Sequence, residues 1–147
     1  MDFAAEHGFD GVLVEGWNIG WDGDWIQNSE LFSFTESYPD FDIQKVSDHG
    51  KKVGVKLIGH HETSGGITNY EAQMEDGFAL YQKMGVEQIK TGYVAHGQSL
   101  KVTDEQGIKR LEYTDSQPLV NHFINNITTA AKYGISINTH ESVKDTG

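Results

Sequence analysis

The chain has 147 residues, 37 % of them hydrophobic, and 11 Lys and Arg against 22 Asp and Glu give it a formal charge of −11. That balance suits a folded domain and argues against a nucleic-acid groove or an anionic membrane surface, which need clustered basic charge. The absence of cysteine removes disulfides, thiolate metal sites and a cysteine nucleophile, and no apolar run approaches the roughly 18–20 residues that span a bilayer.

Met1 to Gly8 reads as the last two turns of a helix, stopped by Gly8. Phe9 to Gly16 follows as a short apolar run, the first expected strand. A helix from about Asp42 to Lys52 leads into a second strand, Val53 to Gly59. A longer helix, Thr68 to Met84, ends at Gly85 and leads into a third, Val86 to Gly92. The last helix, Pro118 to Tyr133, ends at Gly134 and leads into a fourth, Ile135 to Glu141. Each helix closes on glycine or a glycine-containing turn, and each strand is short and rich in β-branched residues. Strands and helices that alternate in this way imply βαβ units and a parallel sheet.

Two architectures satisfy that pattern, an open doubly wound sheet and a (β/α)8 barrel. Gly16-Trp17-Asn18-Ile19-Gly20-Trp21 puts aromatic residues where a phosphate-binding turn needs glycine, which argues against the first. The loops after the strands are long, aromatic and polar, as on the catalytic face of a barrel. We therefore expect α/β architecture of the partial TIM-barrel kind, about four consecutive βα units. The chain opens inside a helix and stops soon after a strand, so residues 1–147 are expected to be the central part of a barrel domain within a larger protein. No secretory signal is visible.

The expected strands end in ionisable side chains: Glu15, then His60-His61-Glu62-Thr63, then Lys90, then His140-Glu141. A parallel barrel assembles its active site at those ends. His60 and His61 are adjacent and so point to opposite faces of a strand, whereas His60 and Glu62 share one. His61 is accordingly assigned to packing. A transition-metal hydrolase on His60 and Glu62 is one reading; a hard cation such as Ca²⁺ suits several carboxylates without thiols better. Asp22-Gly23-Asp24 does not open an EF-hand loop, which needs glycine at the place Gln27 occupies. Glycosidic hydrolysis needs two carboxyl groups around one bond, and Glu15, Glu62 and Glu141 offer candidates. Trp17, Trp21, Trp25 and Tyr93 are candidates to stack on sugar faces. There is no Gly-x-Ser-x-Gly elbow, and the sequon Asn126-Ile127-Thr128 falls within an expected helix, where it reads as chance.

The stretch Asp2 to Asn18 resembles the start of the barrel in glycoside hydrolase family 97. So do Tyr38-Pro39-Asp40-Phe41-Asp42, His60-His61-Glu62-Thr63, Asn69-Tyr70-Glu71, Lys90-Thr91-Gly92-Tyr93-Val94 and His140-Glu141, in the same order along the chain. The resemblance implies an α-glucosidase or α-galactosidase, Ca²⁺-dependent, with a β-sandwich before its (β/α)8 barrel and a smaller β domain after it. It further implies that Glu62 and Glu141 are the bases for an attacking water in the inverting branch, with Glu141 also a Ca²⁺ ligand. Glu15, His60, Lys90 and His140 would then contact the bound sugar. The retaining branch carries an aspartate nucleophile just after the third strand's lysine, and here that stretch is Thr91-Gly92-Tyr93. The family usually continues its last motif as Glu-x-x-Arg-Pro-Thr-Gly, where this chain has Lys144 and Asp145, and it carries its general acid further on. By resemblance the substrate is an oligosaccharide and the location periplasmic or secreted in a bacterium. Two other readings are a catalytically inactive carbohydrate-binding relative and a metal-dependent hydrolase on the same barrel.

Overall fold

Glycines in the left-handed region end the main helices. In the computed structural model, which describes residues 1–95 and 99–143, helix α1 spans Asp2–Glu6 and its exit turns at Gly8 (φ +74°). Helix α2 spans Ile43–Val53. Asp42 caps it by accepting the Lys45 N–H at 2.9 Å, and Gly54 (φ +79°) ends it. Helix α3, Ile67–Met84, stops at Gly85 (φ +78°). Helix α4, Gln117–Lys132, begins with Pro118 in its first turn, where a missing N–H costs nothing, and turns out at Gly134 (φ +70°).

Strands β1 (Gly11–Leu13), β2 (Lys56–Glu62) and β3 (Gln88–Gly92) follow α1, α2 and α3. One addition interrupts the alternation. Strands β4 (Leu100–Thr103) and β5 (Lys109–Glu112) form an antiparallel hairpin between β3 and α4, where the sequence pattern predicts no element. The final strand is β6 (Ser136–Thr139). The main sheet has four strands in the order β1-β2-β3-β6, all parallel. β1 is shorter than its apolar run suggests, and β2 continues past Gly59 through Glu62.

The helix-facing side of the sheet is dry and aromatic. Leu57, Gly59, His61 and Ile89 alternate onto that side and meet Phe34, Tyr70, Phe78 and Tyr81. Gly59 is required there, because a Cβ at that position would stand 2.7 Å from the Tyr81 ring. The opposite side is polar by the same alternation. Register pairs Gln88 with Ser136 in one row, and His60 with Lys90 and Asn138 in the next. A second, smaller core of Ile67, Tyr93, Leu100, Leu119 and Phe123 lies where the hairpin meets α3 and α4. Among the described residues no helix is long and apolar enough to cross a membrane.

Candidate active site

The strand ends that carry the ionisable residues come together at one rim of the sheet. On β2 the alternation divides the two histidines. His61 is fully buried among Phe34, Tyr70, Phe78 and Tyr81, with Nδ1 3.0 Å from the Tyr70 hydroxyl. Burial drives its pKa down to about 3. His60 faces the other way, against the Trp21 ring at 5.6 Å, with Nε2 3.9 Å from Glu15 Oε1. Burial outweighs the attraction of Glu15 and holds its pKa near about 4.

Glu62, only 4 % exposed, follows His60 on the same face. Its Oε1 accepts the N–H of Ser64 at 2.8 Å and of Val94 at 3.0 Å. Burial pushes its pKa up to about 7; Glu141 adds to the rise, while the two amides and Lys90 oppose it. The carboxylate lies over Gly92, where a Cβ would come within 1.9 Å of Oε2.

Glu141, just beyond β6, accepts the Tyr93 N–H on Oε2 at 3.0 Å. The two glutamates are thus held by consecutive amides of the chain leaving β3. The reason is geometric: successive N–H groups of extended backbone point to opposite sides. Tyr93 therefore serves the glutamate beyond β6, and Val94 the one on β2. Glu141 (φ +51°) and Ser64 (φ +46°) are the non-glycine residues with positive φ among the described residues. That conformation costs about 1–2 kcal/mol for an L-residue and concentrates at functional sites.

Lys90, on β3 beside His60 in register, makes an ion pair with Glu15. This hydrogen bond is the main reason the Glu15 carboxyl titrates below its ordinary range. His140 donates its backbone N–H to the Thr91 carbonyl at 3.0 Å, which sets it on the same rim. The structure therefore brings Glu15, His60, Glu62, Lys90, His140 and Glu141 to one edge. An open cavity of about 860 Å³ adjoins it, lined by Tyr93, Tyr113, Asp115 and Glu141 among others.

Two of the expected sugar-stacking residues are corrected. Trp17 is fully buried and donates Nε1–H to the His60 carbonyl at 3.2 Å. Tyr93 is also buried, its hydroxyl 3.0 Å from His122 Nε2. Trp21 and Trp25, stacked at 4.7 Å and half-buried, keep an accessible face. Asn126 of the sequon donates to the Tyr70 hydroxyl inside the core, away from solvent. The Lys144-Asp145 departure lies outside the described residues. Sequence reasoning quoted Glu71 within Asn69-Tyr70-Glu71 without a role and passed over His122, yet the two bond to each other at 2.8 Å; they lie on different helices, so no spacing along the chain signals the contact.

The buried histidines make a stability prediction with a definite sign. Both are held neutral in the fold, with pKa about 4 and about 3 against an unfolded value near 6.5. Their contribution is complete above pH 6.5 and is lost as pH falls toward those values. Glu62 acts oppositely: with a folded pKa about 7 against 4.5 unfolded, it adds stability as pH falls through that window. Its gain roughly cancels the His60 loss, leaving His61 as the acid-sensitive member of these three groups. We expect a His61→Phe variant to lose about 3–5 kcal/mol less than the parent between pH 7 and pH 3, measured by urea titration at each pH. Parallel pH profiles for the two proteins would reject that assignment.

The sequence profile described as Glycoside hydrolase 97 matches residues 1–147. Two solved structures from Pseudoalteromonas sp. strain K8 are similar: a Glycoside Hydrolase Family 97 enzyme in complex with acarbose, and a variant of a family 97 enzyme in complex with panose. Each is 60 % identical with a TM-score of 0.94, over 99 % of this chain and 22 % of the other. The chain therefore spans about a fifth of the length of those relatives. A β-arabinopyranosidase matches at 16 % identity and a TM-score of 0.55, over 97 % of this chain and 19 % of its own, which is a likeness of fold alone.

Proposed function

The chain belongs to glycoside hydrolase family 97, and from that membership we propose that it forms four consecutive βα units of a (β/α)8 barrel in an enzyme that hydrolyses α-glucosidic bonds of oligosaccharides with inversion. The observation that carries this reading is the pair of glutamates, Glu62 and Glu141, held on one rim by the adjacent amides of Val94 and Tyr93. The acarbose and panose complexes of similar proteins support an oligosaccharide as substrate. By family likeness we place the enzyme in the bacterial periplasm or outside the cell.

In this reading Glu62 and Glu141 accept a proton from water as its oxygen bonds to the anomeric carbon. The bond from that carbon to the leaving oxygen breaks at the same time, and a general acid outside these 147 residues protonates the leaving group. A base whose pKa lies near the working pH is well matched to that task, as Glu62 is at about 7. The Lys90–Glu15 pair with His60 and His140 supplies charged and polar groups for sugar hydroxyls. A retaining mechanism would need a carboxylate after Lys90, and the chain offers Gly92, whose space the Glu62 carboxylate fills.

Calcium fits these residues in kind but not in number. Glu62 and Glu141 are hard oxygen donors, but no group of three or more His, Asp or Glu side chains gathers among the described residues, and Ca²⁺ takes six to eight oxygens. The described side chains alone do not complete a calcium site. We assign Glu141 as one ligand of a site completed elsewhere in the protein; when bound, the ion would supply Lewis-acid polarisation.

Direct attack by water inverts the anomeric centre. The complete enzyme acting on an α-glucoside is expected to release β-glucose first, seen by NMR before mutarotation. Initial α-glucose would reject inversion, and sugar binding without turnover would favour a carbohydrate-binding relative.

A further inference from the structure

The helix side of the sheet carries a hydrogen-bond chain that the proposed chemistry leaves unused. Tyr93, buried where β3 ends, places its hydroxyl 3.0 Å from Nε2 of His122 on α4. His122, also buried, places Nδ1 2.8 Å from Oε1 of Glu71 on α3. A carboxylate only accepts, so Nδ1 carries the ring proton and Nε2 accepts the Tyr93 O–H. The rings of His122 and Phe123 meet the Tyr93 ring edge-on, at 5.4 Å and 5.1 Å. The Tyr93 side chain thus has one fixed orientation, set by two helices.

The backbone of the same residue does its work on the opposite side. Its own N–H holds Glu141, and the next N–H holds Glu62. A change in the backbone at Tyr93 alters how these two N–H groups are aimed, and with it a hydrogen bond of each carboxylate; Glu62 also keeps the Ser64 N–H. A neighbouring chain, Asn126 to Tyr70 to His61, ties β2 to the helices in a similar way, but it ends on a side chain and holds neither glutamate.

The geometry points to His122, oriented by Glu71, as a positioning residue: it fixes Tyr93 and, through the Tyr93 and Val94 amides, the placement of Glu62 and Glu141. This rests on reading those glutamates as the bases.

The test uses Tyr93→Phe and His122→Leu in the complete protein. Each is expected to lower kcat about tenfold, the worth of one hydrogen bond at the upper end of its range, with KM changed less than twofold. Amide exchange at Tyr93 and Val94, followed by mass spectrometry, is expected to quicken by a similar factor while the amides of Lys56 to Gly59 keep their rates. Unchanged exchange at residues 93 and 94, or faster exchange across the whole sheet, would overturn the inference. So would loosened amides with an unchanged kcat, provided that Glu62→Gln abolishes turnover. Should Glu62→Gln leave turnover intact, the reading of the bases fails, and the exchange rates still decide whether His122 anchors the two amides.

Discussion

Glutamine in place of Glu62 is expected to lower kcat of the complete enzyme about 10²–10⁴-fold, the range that general acid–base assistance supplies, with KM nearly unchanged. The substitution is close to isosteric, and the amide oxygen still accepts the Ser64 and Val94 N–H groups that Oε1 accepts now. Stability is expected to hold or rise above pH 7, because burial penalises the ionised carboxyl, whose pKa is about 7 in the fold, and a neutral amide escapes that penalty. With Glu62 as the proposed base, the same pKa is expected to place the acidic limb of the rate profile near neutrality, activity falling as pH drops below about 7 and Glu62 takes up its proton. Initial rates on an aryl α-glucoside, paired with urea midpoints, separate lost chemistry from lost folding. A variant within twofold of the parent rate would remove Glu62 from the mechanism.

Gly92→Ala is expected to be almost as damaging without touching a functional group. The added methyl would stand 1.9 Å from Glu62 Oε2 and 2.9 Å from its carboxyl carbon, distances that no adjustment of a few tenths of an ångström relieves. The carboxylate must leave its seat and give up the Ser64 and Val94 amides, or β2 and β3 must part. We expect a fall in kcat of at least about 10²-fold and a loss of about 1–3 kcal/mol in stability, typical of overpacking. Gly107→Ala provides the control. It lies in the hairpin turn with φ +79° and nothing within 4 Å of an added Cβ, so it tests backbone strain alone, at about 1–2 kcal/mol. In a Glu62→Gly background, Gly92→Ala is expected to cost little further rate, because the displaced group is gone. Equal losses in both backgrounds would show that the methyl acts on the sheet and not on the carboxylate.

The main frame was legible because glycine and alternation are local signals. Gly8, Gly85 and Gly134 mark helix exits through a backbone region that side chains avoid, and the sequence shows them directly, whereas Gly54, expected inside the second strand, instead ends α2. The division of His60 and Glu62 from His61 follows from the two-residue period of a strand and is what the structure has. The hairpin was less visible. Leu100-Lys101-Val102-Thr103 and Lys109-Arg110-Leu111-Glu112 are too short and too polar to stand out, although Asp104 to Gly107, with Gly107 at φ +79°, is a recognisable turn signal. Trp17 and Tyr93 misled because an aromatic residue in a loop after a strand serves equally as a sugar platform or as core. Only the fold shows their polar ends satisfied indoors, by the His60 carbonyl and by His122. Glu71 and His122 meet through tertiary packing between α3 and α4, and nothing in their local sequence announces the contact.

The spacing of the two glutamates has a covalent ruler. Their anchors, the N–H groups of Tyr93 and Val94, are joined by a single residue's backbone, and bond lengths and peptide planarity set the distance between them within narrow limits. The identity of the side chain at position 94 does not enter that measurement. Leucine, threonine or alanine would carry the same amide to Glu62, and proline alone, having no N–H, would erase the mark. At position 94 the contribution to Glu62 is thus made by a backbone N–H, beside that of Ser64, and is carried by almost any residue there.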